Sequence, residues 1–259
     1  MLRPFISVII PIYNRAYCIE RCLKSVEICL ETGSFEVVLV DDGSKDTSVD
    51  VVKSFMKEKT EYRLIRLSNN MGVNNARNEA IAAAKGDWLL FLDSDDELCI
   101  NSVDMKNSII NLQDYDLISF RCKNSSGKIL GPNTNEPIKL SYEDFLSGQK
   151  SFETLDLIKR TDNSKNYFEN SVNGFEGIGW ARLLKLNKKL IILPSVGRHY
   201  HSDANNQLMK LSLIEKSSNM ARGYKIFLRE NFKGLSFKYK VTCFIKFLCY
   251  SLLSKFVSS

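Results

Sequence analysis

Residues 88–97 read WLLFLDSDDE, an apolar run that passes directly into a cluster of carboxylates. Such a run predicts a strand covered on both faces, which is typical of a parallel sheet. Asp93, Asp95 and Asp96 would then lie at the carboxyl edge of that sheet, where open α/β folds bind ligands. Two carboxylates one residue apart can hold Mg²⁺ or Mn²⁺ together with substrate phosphates. The alternative is an acidic loop that caps the next helix.

The composition is that of a globular protein, because 44% of the 259 residues are hydrophobic and 25% are charged. This length suits one α/β domain with a tail. The net charge of +6 is unevenly spread: residues 210–259 contain ten Lys or Arg and two Glu, a net of +8, which leaves −2 for the rest. A basic tail of this kind predicts contact with an anionic surface.

Cellular location and cysteine chemistry are constrained by what the chain lacks. It has no apolar stretch of about 18 residues that would predict a transmembrane helix, and the segment MLRPFISVIIPIY lacks signal-peptide features. We therefore expect a cytoplasmic protein. Cys18 and Cys22 are four residues apart on a predicted helix, and we expect buried thiols, with a zinc site as the alternative.

Strands and helices alternate in the first part of the chain, which predicts a parallel sheet with right-handed crossovers. The predicted strands span residues 5–10, 35–40, 62–67 and 88–92, and the predicted helices span 17–30, 48–57 and 73–85. Further along, the pattern predicts strands at 116–122 and 190–193 and helices at 101–112, 142–147, 153–159, 179–186 and 206–231. Residues 237–257 are apolar with interspersed lysines.

Each of the first four predicted strands is followed by a polar loop sequence: PIYNR (11–15), DDGS (41–44), NNMG (69–72) and DSDD (93–96). Because parallel strands end at one edge, these loops should converge into a nucleotide site. Asp41 and Asp42 can accept hydrogen bonds from a base or a ribose, Gly72 allows close backbone approach, and Arg77 can neutralise a phosphate. The chain contains neither a P-loop nor a G-x-G-x-x-G motif after its first strand.

Four motifs in order, P-x-Y-N-R (11–15), V-D-D-G-S-x-D (40–46), N-x-G-x-x-x-A-R-N (70–78) and F-L-D-S-D-D (91–96), resemble the family 2 glycosyltransferases. The resemblance is strong over residues 5–100, weaker over 101–205 and absent beyond. It implies an α/β GT-A fold, with a Rossmann-like, mostly parallel sheet flanked by helices and a C-terminal helical tail. Residues 1–105 would form the nucleotide-sugar-binding half, 106–205 the acceptor-binding and catalytic half, and 206–259 the basic helical tail.

The resemblance also implies roles for individual residues at the sheet edge. The implied nucleotide-sugar-binding residues are Pro11, Tyr13, Asn14, Arg15, Asp41, Asp42, Asn70, Gly72, Arg77, Asp93 and Ser94. Asp95 would bind Mn²⁺ or Mg²⁺ on the donor diphosphate. His201 would be a late ligand of the same ion, with His199 as the alternative; two residues apart on an extended segment, the two histidines face the same way.

The general base of the family is an acid in a Glu-Asp pair about 80 residues after the Asp-x-Asp motif. Here Glu176 matches the first acid, whereas Gly177 replaces the second. Glu176 is therefore the expected catalytic base, and the alternative is that it caps the following helix. Trp180 could stack on an acceptor sugar or anchor that helix in the core.

The sequence thus predicts an inverting glycosyltransferase that moves a sugar from a UDP-sugar to a hydroxyl of a glycan acceptor. The expected acceptor is lipid-linked, in surface polysaccharide (for example O-antigen) biosynthesis, and no nucleic-acid partner is expected. The basic tail predicts a peripheral position on the anionic inner face of the cytoplasmic membrane; the alternative is a helix packed on the domain. The alternative functions are a nucleotidyltransferase and a non-catalytic sugar-nucleotide-binding protein that has lost the base.

Overall fold

The architecture is described from a computed structural model, which covers residues 4–31, 34–132, 134–149, 152–161, 167–186, 188–201, 212–214 and 216–255. Within these residues the strands are β1 (Ile6–Ile12), β2 (Phe35–Asp41), β3 (Tyr62–Arg66), β4 (Trp88–Phe91), β5 (Glu97–Leu98), β6 (Leu117–Asn124), β7 (Ile138–Leu140), β8 (Thr154–Lys159) and β9 (Leu190–Tyr200). The helices are α1 (Ile19–Leu30), α2 (Ser48–Phe55), α3 (Val73–Ala83), α4 (Ser102–Asn111), α5 (Tyr142–Leu146), α6 (Gly177–Lys185), α7 (Ser217–Asn231) and α8 (Phe237–Lys255).

The strands form a mixed sheet in the order β3-β2-β1-β4-β8-β6-β9-β5, and β7 pairs with β9. The first four strands are parallel, with β1 between β2 and β4. Their apolar runs are buried because helices cover both faces of the sheet. The predicted α/β class with a Rossmann-like core is therefore confirmed. Strand β1 runs beyond the predicted end, through Pro11, which lies past the residues that pair with β4 and so breaks no hydrogen bond of that ladder.

The second half of the sheet corrects two predictions. Residues 153–159 were expected to be helical, but β8 is an antiparallel strand between β4 and β6. Its apolar side chains are buried on both faces, and pairing with two neighbours outweighs a local helical pattern. Strand β9 does not stop before Pro194 but continues to Tyr200, because a register shift against β6 accommodates the proline in a bulge.

Two hydrophobic clusters lie on opposite faces of the sheet. One packs α1, α2 and α4 against the sheet through residues such as Leu23 and Met105. The other packs α3, α6 and α7 through residues such as Ala80, Trp180 and Phe227. The sheet and both clusters extend across the predicted boundary at residue 105, so each cluster contains residues of both predicted halves.

The tail contributes two helices. The predicted helix 206–231 begins only at Ser217; residues 212–214 are not helical, and residues 206–211 lie outside the described part of the chain. Helix α8 packs on the domain through the buried Cys243, the stacked pair Tyr224–Tyr250 and the Tyr239 ring over Gly148. In the part of the chain that the structure describes, every helix is too short or too polar to span a bilayer.

Candidate functional site

The polar loops after the first two strands interlock at the carboxyl edge of the sheet, as predicted. The Asn14 amide donates to Ser44 Oγ (2.9 Å), and Asn14 Oδ1 accepts from the Lys45 amide (2.8 Å). The Arg15 amide donates to Ser48 Oγ. Asn14 has a φ of +53°, a left-handed conformation that asparagine tolerates better than most residues. The first loop is therefore held in one shape by the second.

The two acids that end β2 have different surroundings. Both oxygens of Asp42 accept backbone amides, from Met71 (2.7 Å) and Gly72 (2.8 Å), so this carboxylate fastens the loop after β3. Asp41 Oδ1 accepts from the Ser44 amide, whereas its Oδ2 is buried without a hydrogen-bond partner. A buried oxygen in this state is a candidate acceptor for a ligand N–H or O–H.

Gly72 has a φ of +93°, which favours glycine. The close approach predicted there for a ligand is made by Asn173, because a Cβ on Gly72 would lie 3.1 Å from Asn173 Oδ1. The same oxygen accepts from the Val73 amide at the start of α3 (2.9 Å). Asn70 Oδ1 also accepts from the Gly72 amide (3.1 Å). Asn70 and Gly72 thus shape the loop that begins α3.

In the Asp-x-Asp motif, Asp93 is held by two buried guanidinium groups, those of Arg77 (2.7 Å) and Arg198 (3.2 Å). Burial alone would raise the pKa of Asp93, but the two cations outweigh it and hold the pKa below its usual value. Asp95 makes a longer ion pair, 3.8 Å from Arg15 Nε. Of the two acids, Asp95 is therefore the better candidate for a cation.

Arg198 was missed by the sequence reasoning. It is buried on β9, where Nη1 lies 3.2 Å from Asp93 and 3.3 Å from Asp96, and Nη2 lies 2.8 Å from Glu153. The predicted strand ended at residue 193, so nothing placed residue 198 beside the Asp-x-Asp motif. Burial raises the pKa of Asp96 above its usual range, against the opposing effect of Arg198.

Glu176 lies immediately before α6, which begins at Gly177 rather than near Gly179. Glu176 occupies the N-cap position of α6, as the capping alternative predicts, but its side chain makes no capping hydrogen bond. Glu176 Oε1 instead accepts from Arg77 Nη1 (2.7 Å), and 40% of the side chain is exposed. Arg77 was predicted to face a phosphate; here it joins Glu176 to Asp93. A Cβ on Gly177 would meet only Phe145, at 4.0 Å.

The segment before Glu176 is anchored to α3 and α7. Asn74 Nδ2 donates to the carbonyls of Glu169, Val172 and Gly174. Phe175 has a φ of +60°, an uncommon conformation for an aromatic residue. Its ring packs edge-on against Tyr224 and over Gly223, where an added Cβ would lie 2.5 Å from the ring. The backbone that carries Glu176 is thus fixed from two sides.

Trp180 is buried on α6 and packs edge-to-face against Phe91 and Phe168. The structure therefore supports the anchoring alternative over stacking on an acceptor. Cys18 and Cys22 are buried, as expected, with Sγ atoms near the carbonyls of Ser94 and Asp93. Burial raises the pKa of Cys18 to about 11, so its thiol stays protonated at neutral pH.

His199 and His201 face the same way, as predicted, with ring centroids 4.2 Å apart. His201 Nε2 lies 2.5 Å from Glu97 Oε2, and His199 Nδ1 lies 3.6 Å from the same oxygen. The His201 amide donates to Asp96 Oδ1 (2.9 Å). Burial and the neighbouring His201 lower the pKa of His199, which favours the neutral imidazole. Among the described residues, Glu97, His199 and His201 are the one group of three spaced to share a metal ion.

Three comparisons with known proteins show what this chain is similar to. The profile of the family described as "Glycosyl transferase family 2" matches residues 7–103. A protein of Mycobacterium tuberculosis (strain ATCC 25177 / H37Ra), named PGL/p-HBAD biosynthesis glycosyltransferase, is 40% identical over 100 residues, 38% of each chain. A Campylobacter jejuni protein, named GalNAc(5)-diNAcBac-PP-undecaprenol beta-1,3-glucosyltransferase, is 27% identical over 188 residues, 70% of this chain and 60% of that one.

Among solved structures, S. aureus TarS 1-349 in complex with UDP-GlcNAc matches with a TM-score of 0.67 at 21% identity. The match covers 95% of this chain and 72% of that one, and it shows a common fold. The chain spans 38% of the length of the mycobacterial relatives. Residues 7–103 therefore match the glycosyl transferase family 2 profile, and the chain has the GT-A fold of the TarS fragment.

Proposed function

We propose that this chain is an inverting glycosyltransferase of surface polysaccharide biosynthesis, which transfers a sugar from a UDP-sugar to a hydroxyl of a glycan acceptor. The family match and the names of the relatives support the reaction class. The UDP-GlcNAc complex of the TarS fragment supports UDP as the nucleotide. A relative whose name contains PP-undecaprenol supports a lipid-linked acceptor.

The observation that carries the proposal is the bridge through Arg77. Its two terminal nitrogens each donate a 2.7 Å hydrogen bond, one to Asp93 of the Asp-x-Asp motif and the other to Glu176 at the start of α6. A donor-side carboxylate and the candidate base are therefore separated by one guanidinium group. A sugar transfer needs this arrangement, because the donor carbon and the acceptor hydroxyl must meet in one place.

The donor nucleotide would lie along the interlocked loops at the carboxyl ends of β1 and β2. Asp41 Oδ2, which is buried 3.8 Å from Arg66 Nε and makes no hydrogen bond, would accept one from the base or the ribose. Tyr13 is 36% exposed and would offer a ring face to the base, beside Pro11 and Asn14. Arg15, Arg77 and Ser94 would lie on the diphosphate side.

Asp95 would hold a divalent cation, Mn²⁺ or Mg²⁺, together with the donor phosphates. Asp93 is already neutralised by two guanidinium groups, which leaves Asp95, with His201, to hold the ion. When bound, it would stabilise the negative charge on the departing diphosphate.

Glu176 would accept the proton from the acceptor hydroxyl. The hydroxyl oxygen forms a bond to the anomeric carbon, and the bond from that carbon to the diphosphate oxygen breaks, with its electron pair staying on UDP. Attack from the face opposite the leaving group inverts the anomeric centre. Arg77 Nη1 donates a 2.7 Å hydrogen bond to Glu176 Oε1 and so fixes the orientation of this carboxyl group.

The membrane assignment rests on the outer face of α8. Its exposed apolar side chains recur at helical spacing and are Phe237, Val241, Phe244, Ile245, Leu248 and Leu252. Lys238, Lys240, Lys246 and Lys255 share the helix, which has no acidic residue. Apolar side chains flanked by lysines suit the anionic inner surface of the cytoplasmic membrane, where a lipid-linked acceptor would be presented.

The test is donor turnover with the purified chain, Mn²⁺ and a panel of UDP-sugars. We expect release of UDP from one of them, with the sugar passing to water or to a lipid-linked acceptor. Release of pyrophosphate from a nucleoside triphosphate and a sugar phosphate would instead identify a nucleotidyltransferase. Tight UDP-sugar binding without turnover in the presence of acceptor would identify a binding protein.

A further inference from the structure

The register between β5 and β9 brings three metal-ligating side chains together. Glu97 is paired directly with His199 in this antiparallel ladder. His201 follows His199 by two residues, and side chains two residues apart on an extended chain face the same side. Both imidazoles therefore lie on the same side of the sheet as Glu97. This grouping comes from strand pairing alone and needs no nucleotide.

The two imidazoles converge on a single carboxylate oxygen. Glu97 Oε2 is 2.5 Å from His201 Nε2 and 3.6 Å from His199 Nδ1, and the three ligand atoms lie within 4.8 Å of one another. Zinc bonds of about 2.0–2.1 Å in a tetrahedral site place ligand atoms about 3.3 Å apart. Side-chain adjustments on the order of 1 Å would therefore convert the group into a coordination site.

An unmet hydrogen-bonding group accompanies this convergence. The second ring nitrogen of His199, Nε2, is buried without a hydrogen-bond partner. An imidazole with a buried, unpartnered nitrogen is poorly satisfied by the protein alone. A histidine in this state points to a ligand that the described protein groups do not supply.

We propose that Glu97, His199 and His201 form a site for a divalent transition cation of the Zn²⁺ class, which the protein binds without any nucleotide. Two imidazoles and one carboxylate are the donor set that such cations prefer, whereas Mg²⁺ prefers oxygen ligands. Three protein ligands leave one position of a tetrahedral ion open. The bound ion would tie the residues that follow the Asp-x-Asp motif to the end of β9.

The test of this site does not depend on the function proposed above, although the two sites share His201. The diphosphate cation would be held by Asp95 and would need the bound donor. The cation at Glu97, His199 and His201 needs neither Asp95 nor the donor. Because His201 belongs to both ligand sets, Zn²⁺ should also raise the Mn²⁺ concentration required for turnover. That second effect is expected only if the chain is a Mn²⁺-dependent transferase.

The test is titration of the metal-free full chain with Zn²⁺ and Co²⁺, without nucleotide, by calorimetry and by visible absorption of bound Co²⁺. We expect one ion per chain, with a Co²⁺ spectrum that lacks the charge-transfer band of thiolate ligands. Glu97→Gln, His199→Asn and His201→Asn should each weaken Zn²⁺ affinity by at least about tenfold. Loss of a group that only supports a metal ligand already costs about this much, and these three residues would bind the ion directly. Mg²⁺ should not compete.

Two variants serve as matched controls. Cys99→Ser removes an exposed thiol two residues from Glu97, and Asp95→Asn removes the candidate diphosphate ligand; both should keep the Zn²⁺ affinity. Absence of stoichiometric Zn²⁺ binding to the wild-type chain overturns the proposal. A thiolate band that disappears in Cys99→Ser overturns it as well. If a histidine variant fails to fold by circular dichroism, the wild-type titration and the shape-preserving Glu97→Gln variant decide.

Discussion

Arg77 joins Glu176 to Asp93 through two hydrogen bonds of 2.7 Å, across 99 residues of sequence on one side and 16 on the other. The guanidinium is buried, and its carboxylate partners are both partly open to solvent. The two acids are thus held in position by the same cation. The candidate base and the donor loop therefore cannot move independently.

Replacing Glu176 with Gln tests the base. Gln keeps the shape and an oxygen for Arg77 but cannot take a proton, so sugar transfer should fall by about 10²–10⁴-fold. Affinity for the UDP-sugar, measured by calorimetry, should stay within about twofold because the base faces the acceptor. Glu136→Gln, on an exposed loop, is the control and should transfer normally. Near-normal transfer by the Glu176 variant would exclude it as the base.

Replacing Asp95 with Asn tests the diphosphate cation. The variant should lose the Mn²⁺-dependent part of UDP affinity, because a neutral amide is a poor substitute for a carboxylate ligand. Calorimetric titration of UDP with and without Mn²⁺ measures the difference. The exposed Asp114→Asn variant should behave like the wild type. An unchanged Mn²⁺ effect in the Asp95 variant would remove this residue from the ligand set.

Arg198 should be important for stability as well as for the site. Arg198→Met removes the cation that lies 3.3 Å from the buried Asp96, and removing one partner of a buried ion pair costs about 3–5 kcal/mol. Urea denaturation followed by circular dichroism measures the loss. Arg229→Met changes an arginine that is 73% exposed, and it should cost less than about 0.5 kcal/mol. Equal stabilities of the two variants would contradict the role assigned to Arg198.

The exposed face of α8 should bind anionic vesicles, and binding should weaken as salt rises because each nearby lysine contributes about 1 kcal/mol. The double variant Ile245→Asp, Leu252→Asp should abolish binding without unfolding the chain, since both side chains point to solvent. Val103→Asp, Ile110→Asp makes the same change on exposed residues of α4. Vesicle co-sedimentation compares the two double variants. If the α8 variant binds vesicles as well as the α4 variant does, α8 is not the membrane contact.

The contact between α6 and α7 should weaken in acid. Arg182 forms a bidentate pair with Glu230 (2.8 Å for each bond), which lowers the pKa of Glu230 below its usual 4.5. A lowered pKa stabilises the fold above the unfolded-state value, and this stabilisation disappears as pH falls through the folded-state value. Glu230→Gln should therefore cost about 0.5–1 kcal/mol at pH 7 and almost nothing at low pH. Thermal melts across this range measure the difference, with Glu20→Gln, whose side chain is 55% exposed, as the control.

The parallel half of the sheet could be predicted because each strand carries its own evidence: an apolar run followed by polar loop residues. Residues 88–92 have this pattern, and β4 lies where it was expected. Strand β8 and the part of β9 beyond residue 193 could not be predicted in the same way, because their conformation depends on partners distant in sequence. Arg198 was missed for that reason, since only the extension of β9 past Pro194 brings it to Asp93. Glu97 was missed as a partner of the two histidines because its role depends on the pairing of β5 with β9.

The contact between Phe175 and Gly223 has a consequence for protein engineering. Phe175 directly precedes Glu176, and its ring fits over α7 only because residue 223 has no side chain. The helices that follow residue 216 lie outside the region that matches the family profile, yet they set the position of the candidate base. A chimera that keeps residues 4–186 and takes these helices from a relative therefore needs a glycine at position 223. Any side chain there would push Phe175 away, and the adjacent Glu176 would be displaced from Arg77.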